Sequence, residues 1–368
     1  MKILMVLSNP FVNDSRVFNE ATSLIEAGHQ VSLIAWDRLN KHKRWETIKG
    51  IKVYRIHNNV LMRALVKLFL QMPFFWWKAV RQAKQIEFEV IHCHDLDTLK
   101  VGLKLKIKYG TKLIYDAHEI YPYLLERDLS KFFIPFFRRI ERQGVKSVNG
   151  LLLADESYIA YFKSLSYNNF ETILNTKEFY LNSYQPTDNK VFTISYVGTL
   201  NPSRFILELL EIVSEIPDVR LIVAGRGRLA SRIQKFSKLY QNIEFLGEID
   251  FDKIIPLTHQ CDLSICMINP NDRNNQLASA NKQFETMVAG RPIIATKNTR
   301  SGEITTQEKC GLVIDYNKTE LKKAVEFFRD NPEECKKMGK NALKAAQQKY
   351  NWEVDKEKLV KFYSNLEK

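Results

Sequence analysis

The sequence has few cysteines and no apolar run long enough to cross a membrane. Its five cysteines are scattered, odd in number and never spaced as a C-x-x-C pair, so we expect reduced thiols in a cytosolic protein. The apolar stretch Met1–Leu7 is shorter than the core of a signal peptide, which predicts a first buried strand and no export signal. The uncharged run Leu68–Trp77 falls short of the about 20 apolar residues that span a bilayer. Short repeats and low-complexity tracts are also absent.

Acidic residues are outnumbered by basic ones. There are 55 Lys and Arg against 42 Asp and Glu, which gives a formal charge of +13 and a sequence pI of about 9.3. This basicity favours phosphate-rich partners, namely nucleic acid, an anionic membrane surface or phosphorylated substrates, and does not separate them. A chain of 368 residues is too long for one ordinary core, so two domains of similar size are expected.

Short apolar segments alternate with amphipathic helical segments, and the alternation occurs twice. The predicted strands of the first half are Ile3–Leu7, Val31–Ala35, Val90–Cys93, Leu113–Tyr115 and Leu151–Ala154, with helices over Val17–Ala27, ended by Gly28, and Leu96–Tyr109. The predicted strands of the second half are Thr193–Val197, Arg220–Ala224, Ile243–Leu246, Leu263–Cys266 and Ile293–Ala295. The polar, turn-rich stretch 182–190 separates the halves.

This alternation predicts an α/β fold. Strands that alternate with helices form parallel sheets covered on both faces, whose ligands bind beyond the carboxyl ends of the strands. We therefore expect two Rossmann-like domains with parallel sheets facing across a cleft. Residues 1–185 form the first domain, residues 190–350 the second, and residues 351–368 a final helix.

The segment Ser279–Thr296 carries the most informative pattern. Asn281 is expected to cap a helix that Gly290 ends. The start of that helix offers free backbone N–H groups and a positive dipole to a diphosphate, and Lys282 adds a full charge. Glu285 lies one turn on, where a carboxylate accepts both hydroxyls of a ribose. The alternative is a plain amphipathic helix on which Lys282 and Glu285 are solvated.

This segment resembles the donor-site signature of glycosyltransferase family 4, an N-K-x-F-E-x-M-A-x-G-x-P-I-I-A type run that carries the second acid of a Glu-seven-residues-Glu motif. Glu285 matches the second acid, whereas Leu277 stands in the place of the first. The resemblance covers most of the chain, including Asn351-Trp352-Glu353 at the start of the final helix, which in this family crosses back to the first domain. It implies a GT-B-like, retaining enzyme that takes its acceptor on the first domain and a nucleotide sugar on the second.

A glycine turn follows the first predicted strand of the second domain. Gly198 lets a phosphate approach the backbone there, and Arg204 in the same loop is suited to bind it bidentately. The family has an Arg after the glycine and a Lys five residues later. Thr199 and Arg204 stand in those places, so one cation is lost. The alternative is a surface Arg at the start of a helix.

The stretch Gly225–Ala230 fits the dinucleotide fingerprint G-x-G-x-x-A, which makes an NAD-dependent oxidoreductase the rival enzyme. The fit is incomplete, because the stretch follows the second strand of its domain and no acid ends the next strand. The resemblance instead assigns Gly225 and Gly227 to the nucleotide side of the cleft. A bare structural turn is the third alternative.

His118 stands where a predicted strand leaves its sheet, in a D-x-H-E-like run that resembles the family's sugar-contacting histidine. Imidazole suits contact with a sugar hydroxyl or with developing charge, although a lone histidine is usually structural. His92 and His94 stand at another strand end. No third ligand is spaced to join them, so we expect packing or cleft lining there and no metal site.

The first loop lacks the paired glycines common in the family and holds Asp14 and Arg16. Either these residues handle the acceptor or Asp14 caps the helix that follows.

Two acid-poor segments combine aromatic and basic residues. Val60–Gln82 contains two Trp and three Phe together with four cations, and Phe132–Arg139 repeats this character. Such content is typical of helices that lie in a membrane interface. The alternatives are internal packing of the first domain or a dimer surface.

These features together predict the roles of the site residues. Arg204, Lys282 and the helix N-terminus neutralise the leaving diphosphate of a UDP- or GDP-linked donor without a metal, Glu285 holds the ribose, and His118 contacts the transferred sugar. No cofactor beyond the donor is expected. The expected partners are the nucleotide sugar, a glycan or lipid-linked acceptor and an anionic membrane surface at the inner face of the membrane, and not nucleic acid. The rivals are the NAD-dependent oxidoreductase and a non-catalytic basic protein that binds membrane or nucleic acid.

Overall fold

Two compact units make up the protein. The computed structural model describes residues 1–12, 14–58, 65–126, 134–178 and 181–367, without the side chains of residues 65–70 and 367. The first unit comprises Met1–Leu174 with Asp355–Lys368, and the second comprises Asn175–Val354. Each unit has its own largely parallel sheet and its own core, which confirms the predicted α/β class with two Rossmann-like domains. All five cysteines are free.

The first unit is built on an eight-stranded sheet. Its strands are β1 (Lys2–Leu7), β2 (Gln30–Asp37), β3 (Trp45–Ile48), β4 (Ile51–His57), β5 (Val90–His94), β6 (Lys112–Ala117), β7 (Gly150–Leu153) and β8 (Phe170–Thr172). Its helices are α1 (Ser15–Glu26), α2 (Leu65–Ala83), α3 (Leu96–Tyr109), α4 (Tyr121–Leu125), α5 (Ile134–Val145) and α6 (Ile159–Ser164).

The strand order of the first sheet is β3-β4-β2-β1-β5-β6-β7-β8. Its strands run parallel except β3, which pairs antiparallel with β4 at the edge. The order reverses between β1 and β5, so the crevice beyond the carboxyl ends of these two strands is where a sheet of this kind binds ligands. The predicted strands are confirmed, whereas β3, β4 and β8 are additions that the sequence analysis did not contain.

The second unit is built on a six-stranded parallel sheet. Its strands are β9 (Phe192–Val197), β10 (Val219–Ala224), β11 (Ile243–Phe245), β12 (Leu263–Cys266), β13 (Ile293–Thr296) and β14 (Gly311–Ile314). Its helices are α7 (Ile206–Ser214), α8 (Ala230–Leu239), α9 (Ile254–His259), α10 (Arg273–Leu277), α11 (Asn281–Val288), α12 (Arg300–Glu308), α13 (Lys318–Asp330) and α14 (Pro332–Gln348). The order β11-β10-β9-β12-β13-β14 places the reversal between β9 and β12.

The boundary between the units differs from the predicted one. We expected the polar stretch 182–190 to be the linker, but the second unit already begins at Asn175. The reason is a backbone tie, because Lys177 forms a parallel bridge with Asn351 and accepts a hydrogen bond from the Trp352 N–H at 2.9 Å. This tie joins both ends of the second unit, so residues 175–190 and 351–354 belong to it.

The final helix, α15 (Trp352–Glu367), returns to the first unit as the family resemblance implies. Asn351 caps it, since its Oδ1 accepts a hydrogen bond from the Val354 N–H at 3.2 Å. Phe362 lies directly over Gly150, where a Cβ would collide with its ring. The hydroxyl of Tyr363 reaches Nδ1 of His92 at 2.8 Å. The start of β7 and the middle of β5 therefore both depend on this helix for their packing.

Candidate active site

In the second unit, α11 directs its first turn at the carboxyl end of β9. The Lys282 Nζ lies 3.2 Å from the centre of the Tyr196 ring on β9. The same atom lies 3.9 Å from the position that a Cβ on Gly198 would occupy. The lysine, the helix start and the glycine turn therefore meet beside the strand reversal of the second sheet, where an anion would find both charge and backbone N–H groups.

The charge of Lys282 is poorly hydrated. The side chain is half-buried, and this loss of hydration lowers its pKa to about 7, with a further lowering from the positive charge of Arg204. Arg204 ends a short 3-10 helix over Pro202–Arg204, and the next residue, Phe205, has a left-handed backbone with φ of 56°. A diphosphate between the two cations would relieve their repulsion.

Glu285 has a buried partner that the sequence analysis missed. Lys177 Nζ lies 3.8 Å from Glu285 Oε1, and both side chains are almost completely shielded from solvent. Burial raises the pKa of Glu285, and the charges of Lys177 and Lys282 oppose that rise. The alternative of a solvated Glu285 on a surface helix is therefore wrong. No local sequence signal links Lys177 to Glu285, since they come together only through the fold.

The predicted capping role of Asn281 is wrong. Ala280 occupies the cap position of α11, and no side-chain hydrogen bond caps the helix there. Asn281 is the first helical residue, and its Oδ1 accepts a hydrogen bond from Asn175 Nδ2 at 2.7 Å. Its exposed side chain thus lies at the helix start without covering the backbone N–H groups. Leu277, which replaces the first acid of the family motif, ends α10.

The two glycine loops of the second unit pack against each other. Gly198 donates its N–H to the Ala224 carbonyl at 3.0 Å, and Leu200 donates to the Arg226 carbonyl at 2.9 Å. A Cβ on Gly225 would collide with the carbonyl oxygen of Gly198, and one on Gly227 with that of Leu200. Their φ angles of 139° and 157° are also ones that only glycine adopts cheaply.

This packing explains why glycine is required at Gly225 and Gly227 without a bound dinucleotide. The loop follows β10, whereas a dinucleotide fingerprint belongs after β9, the strand at the reversal of this sheet. Thr199 lies in the other loop, where its carbonyl accepts a hydrogen bond from the Tyr196 hydroxyl at 3.0 Å.

In the first unit, His118 directly follows β6 and lies beside a buried carboxylate. Its Nε2 is 3.1 Å from Asp116 Oδ2, and 13% of its side chain remains exposed. Its backbone carbonyl accepts a hydrogen bond from the Tyr158 hydroxyl at 3.2 Å. A carboxylate partner orients an imidazole, so one ring nitrogen is held in place while the side chain stays accessible.

The expectation that no third ligand joins His92 and His94 is wrong. Glu20 on α1 and Asp116 on β6 complete a buried group of four residues. Burial lowers the pKa of His94 to about 4. Burial by itself raises the pKa of Asp116, but the neighbouring His92 and His94 and the charge of Arg16 outweigh it and lower that pKa. Part of this group could have been found from the sequence by aligning the two predicted strands in parallel, because His94 and Asp116 are direct neighbours on adjacent strands.

Asp95, at the carboxyl end of β5, has an unusual backbone. Its φ of 63° and ψ of 163° lie in a region that is almost restricted to glycine. Its Oδ2 lies 3.7 Å from Arg16, and burial raises its pKa to about 8. Strain of this kind costs about 1–3 kcal/mol and is concentrated at functional sites. Arg16 is thus part of a largely shielded charge cluster at the strand reversal of the first sheet.

Asp14 has the capping role that was one of its two alternatives. Its Oδ1 accepts a hydrogen bond from the Val17 N–H at 3.2 Å, and its Oδ2 accepts one from Asn9 Nδ2 at 2.8 Å. The side chain therefore fixes the start of α1 and the shape of the first loop.

The aromatic residues of α2 divide between the core and the surface. Phe75 is buried and stacks on Trp36 at 4.8 Å, and the Trp76 indole donates to the Asp97 carbonyl at 2.6 Å. Phe74 and Trp77 are 40% and 54% exposed. The ammonium group of Lys78 lies over the Phe74 ring, 4.3 Å from its centre, and the guanidinium of Arg81 lies over the Trp77 ring, 5.7 Å from its centre.

The second aromatic segment is described only in part. Phe136 on α5 is 61% exposed, whereas Ile134 is buried. Residues 60–64, 132 and 133 and the Lys67 side chain lie outside the described part of the protein. Within that part, no helix combines the length and the apolar character needed to cross a membrane.

Comparison with protein families gives one match for each half of the chain. Residues 15–164 match the model described as Glycosyltransferase Family 4, and residues 191–331 match the model described as Glycosyl transferases group 1. A putative glycosyltransferase of Bacillus subtilis, YtcC, is 29% identical over 202 residues, which are 51% of this chain and 48% of that protein. The uncharacterized glycosyltransferase MJ1069 of Methanocaldococcus jannaschii is 24% identical over 186 residues, which are 48% and 46%. The chain spans about half the length of the curated relatives it matches.

Solved structures resemble the chain over nearly its whole length. Sucrose-phosphate synthase from Thermosynechococcus elongatus matches with a TM-score of 0.81 at 16% identity, over 100% of this chain and 99% of that one. Anabaena HepE in complex with UDP-glucose matches with a TM-score of 0.75 at 16% identity, over 99% and 100%. WaaG, a glycosyltransferase involved in lipopolysaccharide biosynthesis, gives 0.69 at 13% identity, over 97% and 98%. The chain has the GT-B fold, and each of its halves matches a family model of glycosyltransferases.

Proposed function

We propose that this protein is a retaining glycosyltransferase that moves a hexose from a nucleoside-diphosphate sugar to an acceptor. The observation that carries the proposal is the meeting of Lys282, the start of α11 and the Gly198 turn at the strand reversal of the second sheet. A diphosphate bound there is opposed by a lysine, the helix dipole and the nearby Arg204. The binding of UDP-glucose by HepE, a protein of the same fold, supports a UDP-linked donor.

The chemistry follows from these positions. As the bond to the sugar breaks, negative charge develops on the leaving diphosphate, and the two cations with the helix N-terminus stabilise it electrostatically without a metal ion. Glu285, which is paired with Lys177, accepts hydrogen bonds from the ribose hydroxyls. His118, oriented by Asp116, contacts the transferred sugar. We assign no covalent nucleophile.

The acceptor that we propose is a lipid-linked glycan or a surface polysaccharide precursor, met at the cytoplasmic face of a membrane. Two observations support this: the exposed Phe74 and Trp77 of α2, and the cations Lys78 and Arg81 that lie over their rings. Aromatic side chains with neighbouring cations are typical of surfaces that bind anionic lipid.

Nucleotide binding followed by a donor panel tests the proposal. Labelled UDP, GDP and NAD are titrated against the protein, and the sugar derivatives of the nucleotide that binds are then screened for hydrolysis. We expect UDP or GDP to bind and at least one of its sugars to be hydrolysed. Binding of NAD in their place would return the assignment to an oxidoreductase, and binding of none of the three would refute the donor site.

A further inference from the structure

Four side chains of the first unit converge on one buried point. His92 and His94 are two residues apart on β5, so both side chains lie on the same face of the sheet. Asp116 is the neighbour of His94 on β6, and Glu20 comes from α1. One nitrogen or oxygen atom from each of the four lies within 4.8 Å of the others, and all four residues are buried.

The spacing of these atoms matches a four-coordinate metal ion. His92 Nε2 lies 3.6 Å from Glu20 Oε2 and 3.8 Å from Asp116 Oδ2. Nitrogen and oxygen ligands bonded to Zn²⁺ at about 2.1 Å stand roughly 3.4 Å apart at the corners of a tetrahedron. The observed separations are too long for hydrogen bonds and close to those that such an ion requires.

Several of these atoms lack any other partner. In the part of the chain that the structure describes, Glu20 Oε2, His92 Nε2 and His94 Nε2 make no hydrogen bond. The second ring nitrogen of each histidine is engaged, that of His92 by the Tyr363 hydroxyl at 2.8 Å and that of His94 by Asp116 at 2.8 Å. Metal-binding imidazoles are oriented as His92 is, with one nitrogen on the ion and the other in a hydrogen bond. His94 instead turns its Nδ1 towards the proposed ligand atom Asp116 Oδ2, so Nδ1 is the nitrogen that would exchange its hydrogen bond for the ion.

The charges around this group of four residues also favour the binding of a cation. Asp95 is a third carboxylate near Glu20 and Asp116, and Arg16 lies 3.7 Å from it. Two buried carboxylates and the partly exposed Asp95 thus face one guanidinium. A buried charge without compensation is strongly unfavourable, and a divalent ion between Glu20 and Asp116 supplies the compensation.

We propose that Glu20, His92, His94 and Asp116 bind a divalent metal ion of the zinc class inside the first unit. Two imidazoles and two carboxylates suit Zn²⁺ and the related ion Co²⁺. The ion joins α1 to the centre of the sheet and, through Tyr363, to α15. Its ligands all belong to the first unit, whereas the residues assigned to the donor diphosphate belong to the second, so this site is separate from the proposed diphosphate chemistry.

Zinc binding to the full-length chain tests the site directly. The protein is stripped with a chelator and equilibrated with Zn²⁺ alone, and bound metal is measured after dialysis. We expect one tightly bound Zn²⁺ per wild-type chain and at least a tenfold weaker affinity in Glu20→Gln and His94→Gln. His42→Gln is the matched control, since it removes a histidine outside the group and is expected to bind like the wild type. A wild type that takes up no Zn²⁺, or variants that bind it unchanged, would overturn the proposal.

A second measurement needs no substitution, because a variant of a buried residue can fail to fold. Co²⁺ added to the stripped wild type should give the intense visible bands of a four-coordinate N/O site, and Zn²⁺ should abolish them. Zn²⁺ should also raise the Tm of the stripped protein by several degrees. A weak spectrum typical of hydrated Co²⁺ together with an unchanged Tm would show that protons, not a metal, balance these carboxylates.

Discussion

Lys177 and Glu285 form an ion pair within the second unit, with 3.8 Å between Nζ and Oε1 and both side chains almost fully shielded from solvent. The lysine also lies 4.9 Å from the centre of the Phe251 ring. A buried carboxylate tends to take up a proton, and a cation beside it counters that tendency. Lys177 thereby opposes the rise in the pKa of Glu285 that burial causes, and it positions the carboxylate that we assign to the ribose.

The first prediction concerns nucleotide affinity. Glu285→Ala and Arg204→Ala should each weaken UDP or GDP binding at least tenfold, about 1.4 kcal/mol. Lys177→Met should weaken it as well, and the double variant with Glu285→Ala should lose little more, because the two residues act as one pair. Calorimetry on the four variants measures this.

Arg232→Ala is the matched control for these variants. Arg232 is exposed on α8 and takes no part in the site, so its replacement should leave affinity unchanged. Unchanged affinity in both Glu285→Ala and Arg204→Ala would refute the site.

The contrast between Lys282 and Lys177 shows what the sequence can predict about the site. Lys282 and Glu285 lie one helical turn apart, and a contiguous pattern contains them both. Lys177 reaches Glu285 only because the bridge with Asn351 brings residues 175–178 into the second unit. The four-residue group around His92 was missed for the same reason, since Glu20, His94 and Asp116 come from three separate elements.

The fold was more predictable where burial is uniform. Strands such as β9 and β12 are almost entirely buried, so their apolar runs are unmistakable. The edge strand β3 is largely exposed and mixes Trp45 and Ile48 with polar residues, which gives no alternation to detect. The strand β14 is mostly half-buried and begins with Gly311, whose missing Cβ makes room for the Ile293 carbonyl.

The second prediction is a pH dependence of donor binding. The pKa of Lys282 is lowered to about 7, so the free protein loses this charge as the pH rises above that value. A bound diphosphate restores the proton, and affinity for the nucleotide sugar should therefore fall above pH 7, by at most about tenfold per pH unit. Calorimetry from pH 6 to 9 measures this, with the diphosphate diester itself not titrating in that range.

Arginine at this position is the control. Lys282→Arg keeps its charge throughout, so binding should persist with a flat profile, whereas Lys282→Gln should bind weakly at every pH. If the wild-type affinity stays constant from pH 6 to 9, Lys282 does not meet the diphosphate as a titrating cation.

The third prediction separates His118 from the nucleotide. His118 belongs to the first unit, whereas Glu285 and Lys282 belong to the second. His118→Ala should lower kcat about ten- to hundredfold, the loss expected for one charge-assisted hydrogen bond, while nucleotide affinity changes little. Transfer rates and calorimetry on the same preparation measure both effects. Full activity in His118→Ala would make this histidine a structural residue.

The fourth prediction is a pH dependence of stability in the first unit. Glu141 is fully buried, and burial raises its pKa to about 7, although it accepts hydrogen bonds from Tyr161 at 2.5 Å and Tyr115 at 3.0 Å. The folded state therefore keeps a proton that the unfolded chain releases near its ordinary pKa of 4.5. This stabilisation is complete below pH 4.5 and disappears as the pH rises to 7.

Glu141→Gln removes the titration and tests this linkage. The free energy of unfolding of the wild type, compared with that of the variant, should fall by up to about 3 kcal/mol between pH 4.5 and 7 and stay level above that. Urea midpoints of both proteins at each pH measure the difference. A difference independent of pH would mean that Glu141 is ionised throughout.

The last prediction concerns the membrane. Phe74 and Trp77 are exposed on α2 with Lys78 and Arg81 over their rings, whereas Trp76 is held by its hydrogen bond to Asp97 and is not expected to insert. Each cation near an anionic surface contributes roughly 1 kcal/mol, and salt screens this attraction. The wild type should therefore sediment with liposomes that contain anionic lipid, less so at high salt, and not with neutral ones.

Two variants of equal net charge distinguish this surface from basicity in general. The first replaces the cations of the segment, Arg63, Lys67, Lys78 and Arg81, by Gln, and it should lose most of the binding. The second replaces four exposed cations of the second unit by Gln and should keep it; these are Arg232, Lys235, Lys238 and Lys253. Equal loss in both variants would indicate attraction by overall charge alone. A wild type that ignores anionic liposomes would make the exposed aromatic residues of α2 a surface for protein contacts instead.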